Sequence, residues 1–441
     1  MDDLPRSLGG AERARCQHLV FGVVRNAGRL EAALDRVVAH SPRFPTRAIL
    51  FLAGFELIED GADPGRAARI VHHAVEQAKK RTSAAESRLV NAVARRLSEA
   101  IPAQSPPPVG APATALSEFY SHPRWLVERW LAQYGESATH ALLEWNQRPA
   151  PVYARIRGQV SDIDVGGTAD INIRDLTPSP WPGFFEIPAG RWSDIEPLIK
   201  DGRLYVQDPS ARLPVELLAP RPGETVLDAC ASPGGKSLLI ADAMSGSTAR
   251  IEDMMPPDGD KAPPGRIVAI DLPGERIVRL RENLVHAGVI EATVVPADLL
   301  NNPAAELRKL HLPTAYPAVL LDAPCTNTGV MRHRIDVKWR LQERDFSNHA
   351  RQQLGLLEAV SRLVAPGGRL VYSTCSIDAD ENEGAVAAFI KRSCGRFVLD
   401  GQILSKPWET GHDGGGAFLL RRGQVSDIAV AGTPAAAISE T

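Results

Sequence analysis

Two short stretches carry residue types that could do covalent chemistry. In Asp322-Ala-Pro-Cys325 a carboxylate and a thiol stand three residues apart, and Tyr372-Ser-Thr-Cys375-Ser376 offers a second thiol among hydroxyls. Each follows an apolar run that reads as a buried strand, Val319-Leu-Leu321 in the first case and Arg369-Leu-Val-Tyr372 in the second. The turn Pro366-Gly-Gly368 opens the second strand. Side chains just past the carboxyl ends of strands lie where open α/β sheets bind ligands. A thiolate there could add to an electron-poor ring carbon. A free cysteine ionises near pH ~8.5, so such a group must sit beside cations or hydrogen-bond donors.

A third stretch, Asp228-Ala-Cys-Ala-Ser-Pro-Gly234-Gly235-Lys236-Ser237, joins a strand to a helix. It is not a P-loop, because Cys230 stands where the first glycine is required. It also lacks the three spaced glycines of the dinucleotide fingerprint. What remains is an acidic strand end, two glycines that admit close backbone approach, and a helix N-terminus. Asp271, ending the next strand, is placed to bind ribose hydroxyls. Asp298, after Val294-Val-Pro-Ala, could accept a hydrogen bond from an adenine amino group. Each aspartate alone could be a helix cap. Together they suit a neutral or cationic nucleoside better than a triphosphate, and S-adenosylmethionine, with its positive sulfonium, fits. The candidate cofactor set is Asp228, Cys230, Ala231, Ser232, Pro233, Gly234, Gly235, Lys236, Asp271, Arg276, Asp298 and Asp322.

These loops need a sheet to hold them. From Glu224 onward strands alternate with helices: Thr225–Asp228, helix Ser237–Met244, Ile267–Asp271, helix Glu275–Ala287, Thr293–Val295, Ala318–Asp322 and Arg369–Ser373. The alternation predicts an α/β, Rossmann-like fold with a mostly parallel sheet covered on both faces. Ser245–Gly265, rich in Gly, Pro and Asp, reads as a surface insertion.

Upstream, residues 11–100 carry helical periodicity throughout, as in Ile49, Leu50, Ala53, Leu57 and Ile58. Asp63-Pro64 is a helix start. The pattern predicts an all-α bundle of five helices, whose Arg43, Arg47, Arg95 and Arg96 either are solvated or dock RNA. His72 and His73 are adjacent, point apart on a helix and make no metal pair. Five prolines between Pro102 and Pro112 mark a stiff linker. An amphipathic helix with Trp125, Leu126, Trp130 and Leu131 follows, then a second over about Ser137–Trp145. Short alternating runs from Val152 to Val206 predict a small β-containing subdomain. The expected organisation is residues 1–100 helical, 101–115 linker, 116–215 small α+β subdomain, 216–422 cofactor-binding domain and 423–441 a polar, disordered tail. The segment Arg157–Ile163 recurs verbatim as Arg422–Ile428, with no periodicity to explain it.

With 44% hydrophobic and 23% charged residues the 441-residue chain has an ordinary globular composition. No apolar run approaches the roughly 18 residues of a membrane span, and Met1-Asp-Asp-Leu-Pro is no signal peptide. Five scattered cysteines form no C-x-x-C pair, which predicts neither zinc nor disulfides. A cytoplasmic monomer without metal is expected. The net charge of −3 does not favour nucleic acid. Locally, however, Met331–Arg351 holds Arg332, Arg334, Lys338, Arg340, Arg344 and Arg351 against three acids, with Trp339 interleaved. This stretch is expected to track phosphates beside a base pocket.

Asp228–Lys236, Asp322-Ala-Pro-Cys325 and Ser373-Thr-Cys-Ser376 together resemble the Fmu/Sun (RsmB-like) family of RNA cytosine-5 methyltransferases, which act on small-subunit ribosomal RNA in bacteria. The resemblance covers about residues 11–421. Ala11–Leu97 looks like the NusB-like RNA-binding domain of such enzymes, and Ser121–Trp130 like their domain junction. It implies that Cys375 is the nucleophile that adds to cytosine C6, and that Asp322 bonds the N3/N4 edge. Cys325 would assist elimination at C5, and Lys236 would steady the base or Asp322. The reversed assignment, with Cys325 as nucleophile, resembles DNA cytosine-5 enzymes and stays open. The bundle lacks the family's usual first helix, the family's Asp-Gly-Phe-Phe-like stretch is here Asp413-Gly-Gly-Gly-Ala-Phe418, and the 245–265 insertion is unusual. The implied function is S-adenosylmethionine-dependent cytosine-C5 methylation of 16S ribosomal RNA. The alternatives are a transfer-RNA cytosine-5 methyltransferase and a non-catalytic RNA-binding ribosome assembly factor.

Overall fold

The structure, a computed structural model, describes residues 8–157, 176–245, 265–289 and 291–424. The interior of the 245–265 insertion, most of the 157–163 copy and the tail from 425 lie outside the described residues. The chain divides into two compact units, Met1–Pro149 with Met331–Glu343, and Ala150–Val330 with Arg344–Thr441. Among the described residues no helix is long and apolar enough to cross a membrane.

The first unit is helical: α1 (Gly10–Arg25), α2 (Ala27–Asp35), α3 (Phe44–Asp60), α4 (Pro64–Arg81), α5 (Ala84–Ala100), α6 (Ala113–Phe119) and α7 (Arg124–Gln147). Local chemistry sets the ends. Asp63 accepts from the amides of Gly65 and Arg66 at 2.8 and 3.0 Å, with Pro64 in the first turn of α4. Ser83 and Glu86 form a reciprocal capping box on α5. Leu34, Leu50, Leu57, Val90 and Leu97 are buried in the core. Helix α7 breaks at Gly135 (φ 77°), which yields the two helical segments the sequence suggests. Trp130 is fully buried, so it packs rather than stacks on bases. Of the four arginines considered for RNA, Arg47 pairs with Glu31 and Arg96 donates to the Val37 carbonyl.

The expectation for Met331–Arg351 needs correction at Lys338, Trp339 and Arg332. Lys338 is 2% exposed and donates from Nζ to the Arg25 carbonyl at 2.9 Å, while Trp339 Nε1 donates to the Val24 carbonyl at 2.9 Å. Both satisfy carbonyls at the C-terminus of α1, which lack helical partners and attract a cation. Burial, with Arg25 nearby, pushes the Lys338 pKa well below its ordinary value. Arg332 lies over the Trp145 ring, 4.1 Å from its centre, and donates to the Pro149 carbonyl at 2.8 Å. Lys338, Trp339 and Arg332 are therefore engaged by carbonyls and a ring within the helical unit, while Arg334, Arg340, Arg344 and Arg351 stay exposed.

The second unit opens with an antiparallel sheet of order β2-β3-β1-β4, from β1 (Val152–Ile156), β2 (Thr177–Pro178), β3 (Phe184–Ile187) and β4 (Leu204–Val206). Helix α8 (Trp192–Lys200) buries Ile195 and Leu198 against it. Next come α9 (Leu213–Leu218), β5 (Thr225–Ala229), α10 (Gly235–Ser245), β6 (Arg266–Asp271), α11 (Glu275–His286), β7 (Ala292–Pro296), α12 (Pro303–Lys309) and β8 (Tyr316–Asp322). Strands β9 (Val364–Thr374), β10 (Phe397–Ser405) and β11 (Gly415–Arg422) complete a seven-stranded sheet of order β10-β11-β9-β8-β5-β6-β7. Strands β5 to β9 pair in parallel, and β11 pairs antiparallel with β9 and β10. The expected α/β fold is thus realised. Strand β9 starts earlier than expected, since the 366–368 turn is absorbed by a register shift against β8 between Tyr316 and Ala318. The chain winds one way through β5, β6 and β7, then restarts at β8 on the other side of β5. Ligands bind at such reversals.

The small sheet is tied to the large one by charge. Arg155 on β1 and the neighbouring Arg157 reach Asp242 on α10 at 2.5 and 2.9 Å, with side chains no more than 10% exposed. Asp242→Asn leaves Arg155 buried beside a neutral partner, so a loss of about 3–5 kcal/mol of unfolding free energy is expected. Urea titration checks this, and an unchanged midpoint would mean that packing alone holds the joint.

Candidate active site

The cofactor loop is fixed from both sides. The Ala231 amide donates to the Ile270 carbonyl at 3.0 Å and the Ser232 amide to Asp271 Oδ2 at 2.8 Å. The Pro233 carbonyl accepts from Asn283 Nδ2 at 2.7 Å. Gly234 sits at φ 107°, a conformation that favours glycine at the turn into α10. Asp271 also accepts from the Leu272 amide at 2.7 Å, and Arg276 lies 3.2 Å from its carboxylate. Asp298 is exposed beyond β7, where it caps the Leu300 amide at 2.9 Å.

Asp228 is fully buried. Ser237 Oγ donates to its Oδ2 at 2.5 Å, and its Oδ1 is buried without a partner. Burial, with the charges of Asp322 and Asp271, pushes its carboxyl up to about 7 against the Ser237 bond and Lys236. The Cys230 thiol is pushed up by burial, then by Asp271, which leaves it inert. Asp228 on β5, which feels the charges of Asp322 on β8 and Asp271 on β6 and keeps an orphan oxygen, makes a site that fits a cationic nucleoside such as S-adenosylmethionine.

Across β8 and β9 the remaining groups converge. Lys236 Nζ donates to Asp322 Oδ2 at 2.6 Å, and Ser373 Oγ donates to Asp322 Oδ1 at 2.8 Å. Burial works against the Lys236 ammonium, but Asp322, then Cys375, outweigh it and raise its pKa. Cys325 is 6% exposed, and its Sγ lies 3.2 Å from Cys375 Sγ. Its thiol is pushed well above the ordinary value, first by the Cys375 hydrogen bond and then by burial. The loop after Cys325 is pinned by Glu381, which accepts from the Thr326 amide at 3.0 Å and from Gln353 Nε2 at 3.0 Å. Thr328 Oγ1 donates to Asp378 at 2.6 Å, and the Gly329 amide to the Cys375 carbonyl at 3.0 Å. A Cβ on Gly329 would meet the Gly414 carbonyl at 2.3 Å, and one on Gly415 the Thr374 carbonyl at 2.4 Å.

Comparison with known proteins gives three family matches: 16S rRNA methyltransferase RsmB/F over residues 215–400, the NusB family over 3–99, and an RsmF/B-like ferredoxin-like domain over 122–164. The "Ribosomal RNA small subunit methyltransferase B" of Salmonella arizonae is 30% identical over 402 residues, covering 88% of this chain and 84% of that protein. The namesake from Citrobacter koseri is 30% identical over 399 residues, covering 88% and 85%. The chain belongs to the RsmB/F methyltransferase family.

Solved structures agree on the fold. "Crystal Structure of PH0851" superposes with a TM-score of 0.69 at 21% identity, covering 95% of this chain and 92% of that one. NSun6 from Pyrococcus horikoshii with SFG gives 0.51 at 18%, covering 68% and 98%. As an RsmB/F-family protein the chain is an S-adenosylmethionine-dependent RNA methyltransferase with a NusB-like helical region. Its structure gathers Asp228, Lys236, Asp322, Cys325 and Cys375, with Asp271 and Arg276 at the next strand end and Asp298 one further along. Asn327 and Glu381 escaped the sequence reading, and Ser373 and the 414–416 glycines were given no role in the site by it. The signal for them was the polar run Thr326-Asn-Thr328-Gly329 after Cys325 and the glycine triplet itself.

Asp228 gives the RsmB/F-family fold a pH signature. Its folded pKa of about 7 lies above the ordinary 3.8. The native state therefore binds the extra proton between those values, and stability falls as pH rises through that window, then levels off. Asp228→Asn removes this slope, so relative to wild type the variant gains urea resistance from pH 5 to pH 8. A constant difference would refute a protonated Asp228.

Proposed function

We propose that this chain methylates C5 of a cytosine in small-subunit ribosomal RNA through a covalent adduct between Cys375 Sγ and C6. The observation that carries this reading is the pair of thiols 3.2 Å apart beside an Asp322 held by Lys236 and Ser373. The target base leaves its stack at a cost of a few kcal/mol. The Cys375 thiolate forms a bond to C6, and Asp322 holds the N3/N4 edge while the ring takes up charge. Bound S-adenosylmethionine supplies the methyl group that C5 then acquires. Cys325, the neighbouring sulfur, gives its own proton to solvent once its hydrogen bond to Cys375 is lost and as a thiolate takes the C5 proton; the C6–S bond breaks with its electrons returning to Cys375, and the 5-methylcytosine leaves. The homologues named as ribosomal RNA small-subunit methyltransferases support ribosomal RNA as the substrate.

The test is bisulfite sequencing of ribosomal RNA from cells lacking the protein and complemented with wild type or Cys375→Ala. One cytosine is expected to be protected by wild type and converted with the variant. An unchanged map would overturn the ribosomal assignment and direct the search to transfer RNA.

A further inference from the structure

Asn327 is placed to touch both thiol-bearing loops. Its Oδ1 accepts from Cys375 Sγ at 3.2 Å and its Nδ2 donates to the Cys325 carbonyl at 2.8 Å. Its backbone is left-handed, at φ 63°, a conformation that Asn and Gly tolerate. The turn is closed by the Val330 amide on the Asn327 carbonyl at 3.2 Å and the Gly329 amide on the Cys375 carbonyl at 3.0 Å. These bonds fix the side chain's direction. Exchanging the amide's nitrogen and oxygen would set Oδ1 against the Cys325 carbonyl with no proton between them. The face presented to Cys375 is therefore an acceptor, which favours S–H and disfavours a bare thiolate.

We infer that Asn327 is a positioning residue that holds the Cys375 sulfhydryl by its proton, aiming the sulfur and restraining its reactivity until a base enters. When the S–H proton passes to solvent, the thiolate left on Cys375 is the nucleophile and the bond to Asn327 is gone. The inference rests on Cys375 being the nucleophile, so its test is run without RNA and without turnover.

Full-length protein is treated with iodoacetamide across pH. Alkylation is quantified on the Cys375 peptide, with the Cys325 peptide as reference. Asn327→Gly, which suits the left-handed backbone, removes the acceptor. Cys375 is expected to alkylate about three- to tenfold faster at pH 7, the worth of one neutral hydrogen bond, and the half-maximal pH moves down. Asn327→Asp keeps the side chain's size but presents a stronger acceptor and a negative charge, so alkylation slows and the half-maximal pH moves up. Opposite shifts support the lock, because a residue that merely shapes the loop would move both variants alike. Shifts of the same sign, or none, overturn it. If Asn327→Gly fails to fold, the slower alkylation of Asn327→Asp carries the test, and a faster or unchanged rate refutes it. Methyl transfer by Cys375→Ala, scored separately, decides whether the nucleophile assignment itself fails.

Discussion

Cys375→Ala is expected to lower methyl transfer by more than about a thousandfold, because removing the nucleophile of a covalent mechanism removes the path itself. Cys325→Ala is expected to behave differently, completing one methyl transfer and then accumulating a protein–RNA adduct that survives denaturing electrophoresis. The asymmetry follows from the site. Cys325 is the more buried thiol, and the first cause of its raised pKa is the hydrogen bond to Cys375. Once Cys375 is bonded to C6 that cause disappears, and Cys325 becomes easier to ionise at the step that needs a base. In Cys325→Ala the C5 proton has no nearby sulfur to take it, so the adduct persists. Adduct formation by Cys375→Ala together with its absence in Cys325→Ala would exchange the two roles.

The convergence of these groups was legible because strand pairing is local in its consequences. An apolar run ending in Asp322 and another ending in Ser373-Thr374 become parallel neighbours, with Asp322 opposite Ser373, so the residues that follow must meet. The three acidic strand ends were visible for the same reason. Within Met331–Arg351 charge counting misjudged Lys338 and Arg332, since it cannot say which body a segment joins. The partners of Lys338 and Trp339 are carbonyls more than 300 residues away, and no periodicity encodes that. The hairpin of β10 and β11 was not anticipated either. Gly414–Gly416 stood out only as a departure from the family's pattern, yet its lack of side chains is what lets β11 approach the Thr374–Cys375 backbone. Asn327 went unremarked and Ser373 was read only as part of its motif. Only the register and the left-handed turn give them partners.

Asp322→Asn is expected to lower kcat about a hundred- to a thousandfold, the scale of losing one preorganised group at developing charge. Both oxygens of Asp322 are held, by Lys236 at 2.6 Å and Ser373 at 2.8 Å, so the carboxylate meets a base without reorganising. Lys236→Met removes one of those supports and leaves Ser373, so its loss should be smaller, about tenfold to a hundredfold. The two effects should not add, because the pair is one unit: Asp322 is a chief reason the half-buried Lys236 keeps its proton. A double variant no worse than Asp322→Asn alone is the expected result. Lys236→Met should also move the acid limb of the pH–rate profile upward, since it removes a positive charge that Cys375 interacts with. Ser373→Ala, which frees one oxygen but leaves the charge pair intact, should reduce kcat without moving that limb. If Lys236→Met and Ser373→Ala gave the same profile, Lys236 would be acting only as a prop for Asp322. The ionisation of the thiol would then have to be favoured from elsewhere in the loop.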